Sequence, residues 1–255
     1  MSVANRNMKM LIAYDGTHYS GWQKQKNDKT IQGEIEYCLK RMTREDISLQ
    51  GAGRTDAGVH ADGMCAHFLT RSALSAKDLQ RGLNSMLPGA IRIFSIEETE
   101  PDFHARFHAK GKLYNYSIFC GKIQPPKSRL YQLHVPSPLN LQTIHASLAI
   151  LEGTHDFSSF ENSGSRDKTI CSGRGAVRTI HSAKLTTDIT NTLVFQFAGD
   201  GFLRNMIRNL VGTLIEVGRG KLTHTEFTAI LNAKDRTLAG RTAPPHGLCL
   251  KEVFY

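Results

Sequence analysis

The most informative segment of the chain reads Gly53-Arg54-Thr55-Asp56-Ala57-Gly58-Val59-His60-Ala61. Its glycines, Gly53 and Gly58, can take backbone conformations closed to other residues and let a ligand come close. Between them stand one base, Arg54, and one acid, Asp56. A carboxylate on a tight loop between strands can point into a cleft, and carboxylates act as covalent nucleophiles toward sugar carbons. The alternative is an ordinary turn in which Asp56 caps backbone amides and Arg54 is solvated.

Hydrophobic periodicity and capping residues predict strands and helices on both sides of this loop. The predicted strands are Lys9–Tyr14, Ile47–Gly51, Met64–Leu69, Ile91–Ile96, Lys112–Phe119, Ala176–Thr186, Leu193–Phe197 and Leu248–Phe254. The predicted helices run from the cap Thr30 to about Met42, from the cap Ser75 to Pro88, over Leu141–Leu151 and Phe202–Val217, and onward from the capping box Thr223–Glu226.

This order predicts an α+β chain with two related halves, each a mostly antiparallel sheet backed by helices. Residues 121–138 carry four of the eight prolines, which is typical of a linker. We therefore expect an N-terminal half with the loop at 1–120, a linker at 121–138 and a C-terminal half at 139–255. The active-site cleft is expected between the halves.

Composition narrows the possible partners. The 255 residues carry a net charge of +9, which draws the chain toward polyanions, chiefly nucleic acid or an acidic membrane surface, although a solvated basic surface with no partner gives the same charge. No apolar run has membrane-spanning length, and the polar N-terminus predicts a cytoplasmic location. The five cysteines are scattered, so a disulfide framework is not expected.

Seven segments, in chain order, resemble the tRNA pseudouridine synthase A family. They are Tyr14–Gln23, Thr30–Gly33, the loop Gly53–Ala61, Phe103–Arg106, Lys112–Tyr116, Phe202–Gly212 and Thr242–Leu248. The resemblance implies the pseudouridine synthase fold and an isomerase that needs no cofactor and no metal. Its substrate would be tRNA, at uridines of the anticodon stem-loop near positions 38, 39 and 40. Family members are homodimers, so a homodimer is implied as well.

The same resemblance implies roles for individual residues. Asp56 would be the nucleophile that breaks the C1′–N1 bond, by attack on C1′ or by a glycal-like route, before the base rejoins through C5. Arg208 would be its ion-pair partner, which offsets the cost of holding a charged carboxylate in a dry pocket. Arg54 would help to extrude the base. Tyr114 would stack on the target base.

Basic residues outside the loop are candidate phosphate contacts. We expect Lys24 and Lys26 of the N-terminal cluster, and Arg174 of a second patch, to bind the RNA. His104 and His108 have the spacing of a metal pair, but they lack nearby acidic or cysteine ligands, so no metal site is predicted.

The sequence departs from the family pattern in two places. Asn115 occupies a position that often holds a basic residue, and the Ser/Gly-rich segment 161–173 is longer than usual and could act as a lid. Two other functions are weighed against the synthase. A catalytically silent RNA-binding protein would not need Asp56, and a glycoside-cleaving enzyme would need a second carboxylate, for which the motif offers only Asp62.

Overall fold

The computed structural model describes residues 5–162 and 174–255 and divides into two compact units. The first unit comprises Met1–Lys110 with Cys249–Tyr255, and the second comprises Gly111–Leu248. The predicted extension at 161–173 lies outside the described residues from residue 163 onward. In chain order the elements are β1 (Arg6–Tyr14), α1 (Ile31–Thr43), β2 (Gln50–Gly51), β3 (His60–Thr70), α2 (Ala76–Met86), β4 (Ile91–Thr99), β5 (Gly111–Phe119), β6 (Leu133–His134), α3 (Leu141–Ala149), β7 (Gly153–Asp156), β8 (Val177–Thr187), β9 (Thr192–Gly199), α4 (Met206–Gly218), α5 (His224–Ala233) and β10 (Leu248–Phe254).

The first unit is a sheet with α1 and α2 as its helices. Strand β1 pairs antiparallel with both β3 and β4, and the short β2 pairs antiparallel with β3. The C-terminal strand β10 returns to this sheet and runs parallel to β3, with Cys249 opposite His60. Fully buried side chains fill the core, and each contributes about 1.5–3 kcal/mol by leaving water. They include Met8, Ile12, Ile35, Leu39, Phe68, Leu79, Leu83 and Ile91.

Both helices of the first unit begin where the sequence predicts. The Thr30 hydroxyl accepts a hydrogen bond from the Gly33 amide at the start of α1, and the Ser75 hydroxyl accepts one from the Asp78 amide at the start of α2. Each cap satisfies one amide that lacks a partner in the first turn of a helix. In each cap the two bonded residues are only three positions apart in the sequence, so local sequence is enough to predict these contacts.

Side chains of α2 protect the outer edge of this sheet, where β4 has β1 as its strand neighbour. The Asn84 side chain accepts from the amide of Ile93 at 2.9 Å and donates to the carbonyl of the same residue at 2.8 Å. Gln80 donates to the carbonyls of Ile93 and Phe94. An edge strand that is covered in this way is a poor template for pairing with another chain.

The second unit is an antiparallel sheet with α3, α4 and α5 as its helices. Its strands follow the order β5-β9-β8-β7, and β6 adds to β5 in parallel. The predicted hairpin is confirmed as β8 and β9. The predicted capping box is confirmed at α5, where Thr223 and Glu226 bond each other's backbone amides. The mostly antiparallel α+β architecture is therefore present in each unit.

Several element boundaries differ from the prediction. Helix α4 begins at Met206 and not at Phe202, because Asn205 takes a left-handed conformation with φ of 60° that a helix cannot include. The predicted strand Ile47–Gly51 is reduced to the two residues of β2. Helix α3 ends at Ala149, two residues short of the prediction.

The proline-rich region 121–138 contains the strand β6 and a short 3-10 turn, Pro126–Ser128, and it lies within the second unit. The boundaries between the two compact units therefore fall after Lys110 and before Cys249. The domain assignment with a linker at 121–138 stays a prediction. In the described part of the chain, none of the helices is both long and apolar enough to cross a membrane.

Candidate active site

The loop that carries Asp56 is held against the loop that follows β1. The Trp22 amide donates to the carbonyl of Thr55 at 3.1 Å, and the Gly58 amide donates to the carbonyl of Tyr19 at 3.3 Å. Within the loop, the Val59 amide closes a turn on the carbonyl of Asp56 at 3.2 Å. These three bonds fix the backbone on both sides of Asp56, so its side chain projects from a rigid base.

Two glycines of the preceding loop allow this close approach. A Cβ at Gly21 would lie 2.5 Å from the carbonyl oxygen of Thr55, and Gly21 itself has a φ of +91°. A Cβ at Gly16 would lie 2.0 Å from the carbonyl oxygen of Val59. Neither position can hold a side chain without moving the backbone next to Asp56. This explains why glycine is needed at both positions.

Side chains add two further connections between the loops. The Tyr14 hydroxyl lies 2.8 Å from the hydroxyl of Thr55, and both groups are buried. The Gly16 amide and the Asp15 carboxylate each lie 3.2 Å from Nδ1 of His60, so this ring joins the loop after β1 to the start of β3. His60 therefore makes polar contacts with the loop that follows β1.

Asp56 and Arg54 differ in exposure. Asp56 is half-buried, whereas Arg54 is exposed to solvent. Within residues 5–162 and 174–255, the Arg54 guanidinium makes no hydrogen bond or ion pair. The loop therefore presents a partly shielded carboxylate at Asp56 and a solvent-exposed guanidinium at Arg54.

In the second unit, Arg208 stands in the first turn of α4 and is oriented by two acceptors. Its Nε donates to the carbonyl of Ala243 at 2.8 Å, and its Nη1 donates to the Asn205 side chain at 2.9 Å. The Ala243 amide donates back to the carbonyl of Arg208 at 3.0 Å. The planar guanidinium is therefore held in one plane before any ligand arrives, as bidentate recognition requires.

The turn between α5 and β10 packs against α4 and supports Arg208. Asn209, which is fully buried, accepts from both Arg236 (3.0 Å) and Thr242 (2.7 Å). A Cβ at Gly212 would lie 1.8 Å from the carbonyl oxygen of Arg241, so the turn touches the helix backbone. The segments Phe202–Gly212 and Thr242–Leu248, which are distant in sequence, are one packing unit.

Tyr114 is a largely buried residue of β5 in the same unit. Its ring meets Phe202 edge to face, with centroids 5.3 Å apart, and its cross-strand neighbour is Phe197. Two residues further on, the Tyr116 hydroxyl donates to the carbonyl of Pro244 at 2.8 Å. Burial raises the pKa of Tyr116, and the charge of Arg208 acts in the opposite direction. Tyr114 is thus a positioned aromatic residue, as well as part of the core.

Sequence comparison decides the family. A family model described as tRNA pseudouridine synthase matches residues 10–108 and 148–255, which include Arg54, Asp56 and Arg208. The chain belongs to the tRNA pseudouridine synthase family. The chain is therefore an isomerase of this family. Tyr114 lies outside the two matched stretches.

Individual relatives match the sequence of the synthase over nearly its whole length. It is 58% identical over 250 residues to tRNA pseudouridine synthase A 1 of Desulfotalea psychrophila, covering 98% of this chain and 100% of that protein. It is 46% identical to tRNA pseudouridine synthase A of Acetivibrio thermocellus, with the same coverage. Among solved structures, a Cbf5-Nop10-Gar1 complex overlaps 95% of this chain and 57% of its own, with a TM-score of 0.36 and 11% identity. That structural likeness is too weak to bear on the site.

The predicted phosphate contacts of the synthase have different surroundings. Lys24 and Lys26 are both exposed, but the Lys24 ammonium lies 2.9 Å from Glu36, a buried carboxylate that also accepts from the Gln32 side chain and the Leu49 amide. Lys24 therefore neutralises an internal charge. This pairing was not foreseen from the sequence, because the two residues are twelve positions apart on a loop and a helix.

Arg174 of the synthase is also paired. Its Nη2 lies 2.6 Å from the Asp200 carboxylate, and its Nε donates to the carbonyl of Val177. Half of its side chain remains exposed, so a phosphate would have to compete with Asp200.

The histidine pair of the synthase serves the fold. His104 Nδ1 accepts from the amides of Arg106 and Phe107, and His108 Nδ1 accepts from the amide of His104. His67, which is buried on β3, accepts from the Ala105 amide at 3.1 Å. In the described ranges, no group of three or more histidine, cysteine, aspartate or glutamate side chains could hold a metal ion.

Sequence reasoning missed the residues that support the site. Tyr14 and Asn209 stand inside recognised segments, but no local pattern assigns them a role. Arg236 lies between the segments, and it has no signal in the sequence. Each acts through a contact between distant parts of the chain.

Proposed function

We propose that this synthase converts uridines of the anticodon stem-loop of tRNA, near positions 38, 39 and 40, to pseudouridine, with Asp56 as the nucleophile. The observation that carries the proposal is the rigid mounting of a half-buried Asp56 in a loop fixed by three backbone hydrogen bonds. A nucleophile gains most when its position is fixed before substrate binds, since the entropy of orienting it no longer opposes the reaction.

The chemistry requires only groups that substrate and protein supply. Attack of Asp56 on C1′ breaks the C1′–N1 bond, and the bonding electron pair leaves with the uracil. After the base turns, C5 bonds to C1′ and releases the carboxylate, C5 loses its proton, and N1 gains one. In the alternative route, a glycal-like intermediate forms with help from Asp56. Uridine and pseudouridine have the same atoms, so no group donor is consumed in either route.

The two arginines have complementary proposed roles. Arg208 acts as the ion-pair partner of Asp56, and its guanidinium is already oriented by two acceptors in its own unit. Arg54 helps to extrude the base and to hold its place, and its exposed guanidinium suits that task.

Tyr114 is proposed to stack on the target base. Its ring plane is fixed by the edge-to-face contact with Phe202, so the stacking surface is set in advance. A fixed aromatic ring loses little entropy on stacking, and base–aromatic stacking contributes about 1–3 kcal/mol per base.

The net charge of +9 supports a tRNA partner, with Lys26 as the clearest phosphate contact and with Lys24 and Arg174 as contacts already engaged by carboxylates. We further propose a homodimer in which one RNA crosses both subunits, and a cytoplasmic location. Mass measurement of the protein in solution, with and without tRNA, tests the dimer.

The experiment uses unmodified tRNA transcripts in which uridine occurs at 38, 39 or 40 one at a time, and a matched transcript with none of them. Pseudouridine is mapped after incubation with the wild type and with Asp56→Ala, with no metal or cofactor added. We expect conversion only in the anticodon arm and only by the wild type. Conversion elsewhere would refute the proposed positions. Binding without conversion would favour a silent RNA-binding protein, and release of free uracil would favour glycoside cleavage.

A further inference from the structure

A buried pair of hydroxyls joins the end of β1 to the residue before Asp56. The Tyr14 hydroxyl and the Thr55 hydroxyl lie 2.8 Å apart, and Tyr14 and Thr55 are only 4% and 7% exposed. Burying two hydroxyls costs free energy unless they bond each other or another partner. The two hydroxyls are therefore held in one geometry. The reaction proposed above gives neither of them a role.

Thr55 is held by its backbone as well. Its carbonyl accepts from the Trp22 amide, so both the side chain and the peptide leading into Asp56 are anchored. The Tyr14 ring also packs near Trp22, with centroids 6.1 Å apart. Loss of the Tyr14 hydroxyl alone would leave that packing in place and remove the hydrogen bond to Thr55.

We propose that Tyr14 is a positioning residue for Asp56 and acts through the Thr55 hydroxyl. The inference rests on the proposed role of Asp56 as the nucleophile. Because Thr55 is bonded directly to Asp56, a shift in its side chain changes the direction from which the carboxylate meets C1′. Rates of such reactions fall about 100-fold for a displacement near 1 Å.

The test compares single-turnover rates at saturating enzyme. The substrate is tRNA that carries tritium at C5 of uridine, and the tritium is released after C5 bonds to C1′. Tyr14→Phe and Thr55→Val each remove one hydroxyl with little change in volume. We expect each to slow tritium release about 10- to 100-fold. The Kd for tRNA is expected to change less than about threefold, because the substrate contacts remain. Thr55→Ser keeps the hydroxyl and should retain a rate near that of the wild type.

The double variant distinguishes positioning from general damage. If the two hydroxyls act as one contact, Tyr14→Phe combined with Thr55→Val is no slower than the slower single variant. Tyr255→Phe is the matched control, because it removes another tyrosine hydroxyl of the first unit, bonded at 2.7 Å to the carbonyl of Ala105. We expect its rate to stay within about twofold of the wild type.

Three results would overturn the inference: Tyr14→Phe and Thr55→Val rates close to that of the wild type, additive losses in the double variant, or an equal loss in Tyr255→Phe. If Tyr14→Phe fails to fold in a thermal melt, the comparison of Thr55→Val with Thr55→Ser decides, and equal rates overturn the inference. Asp56→Ala is run in parallel. An active Asp56→Ala refutes the proposed nucleophile, whereas an inactive Asp56→Ala with an unaffected Tyr14→Phe refutes only the positioning role.

Discussion

Two glycines with similar backbone conformations allow a test of how tightly the loop after β1 packs against the loop that carries Asp56. The quantity compared is the loss of stability when each glycine is replaced by alanine. Gly21 has a φ of +91° and its missing Cβ would lie 2.5 Å from the Thr55 carbonyl oxygen, whereas Gly220 has a φ of +73° with nothing within 4 Å. Gly220→Ala therefore costs only the left-handed backbone penalty, about 1–2 kcal/mol. Gly21→Ala adds the displacement of a packed backbone, about 1–3 kcal/mol more.

The assay combines thermal melting with the single-turnover rate. A difference of 1–3 kcal/mol corresponds to a midpoint about 2–12 °C lower for Gly21→Ala than for Gly220→Ala. Because the Thr55 carbonyl must move, Gly21→Ala should also slow pseudouridine formation by about tenfold or more, and Gly220→Ala should not. If the two variants have equal melting midpoints and equal rates, the loops do not hold each other as described.

Three other features of the chain give predictions for separate variants. Arg208→Lys keeps the charge but loses the planar fork, so the single-turnover rate should fall about 10- to 100-fold. Burial lowers the pKa of His67 from 6.5, so the unfolded chain binds more protons than the folded chain between about pH 6.5 and the lower pKa of the folded state. Melting midpoints should therefore be highest above pH 6.5 and fall as the pH drops, less steeply in His67→Gln. Lys26→Ala should reduce the slope of log Kd for tRNA against log salt by about one, and Lys24→Ala by less because Glu36 neutralises it.

Each of these predictions has a contradicting result. An Arg208→Lys enzyme with the wild-type rate would show that charge alone is needed at that position. An unchanged slope of the melting midpoint against pH in His67→Gln would place the responsible proton elsewhere. Equal changes in salt dependence for Lys24→Ala and Lys26→Ala would show that Glu36 does not compete with RNA for Lys24.

Local sequence was sufficient for the beginnings of helices. Thr30, Ser75 and the box Thr223–Glu226 cap helices through contacts that span three residues, and all are present. The hairpin of β8 and β9 was predictable for the same reason, because it joins neighbouring segments. The start of α4 was not, since the apolar pattern already begins at Phe202 and does not reveal the left-handed conformation of Asn205.

Contacts between distant segments could not be predicted from the sequence. Strand β10 has an obvious strand pattern, but nothing in that pattern indicates that it pairs in parallel with β3 beside His60. The Glu36 carboxylate likewise determines the environment of Lys24, although neither residue reveals the other. The candidate catalytic residues were easier to identify than the residues that hold them in place. The former stand in segments that resemble the family, whereas the latter make contacts between segments that are distant in the sequence.

The most direct test of the account compares Asp56→Asn with Asp62→Asn on one tRNA transcript. Both substitutions remove a carboxylate with almost no change in volume, but Asp62 is exposed on β3 and forms an ion pair with Lys251. The account predicts that Asp56→Asn binds tRNA and forms no pseudouridine, while Asp62→Asn converts the anticodon arm at close to the wild-type rate. Pseudouridine formation by Asp56→Asn at a rate near that of the wild type would contradict the assignment of the nucleophile.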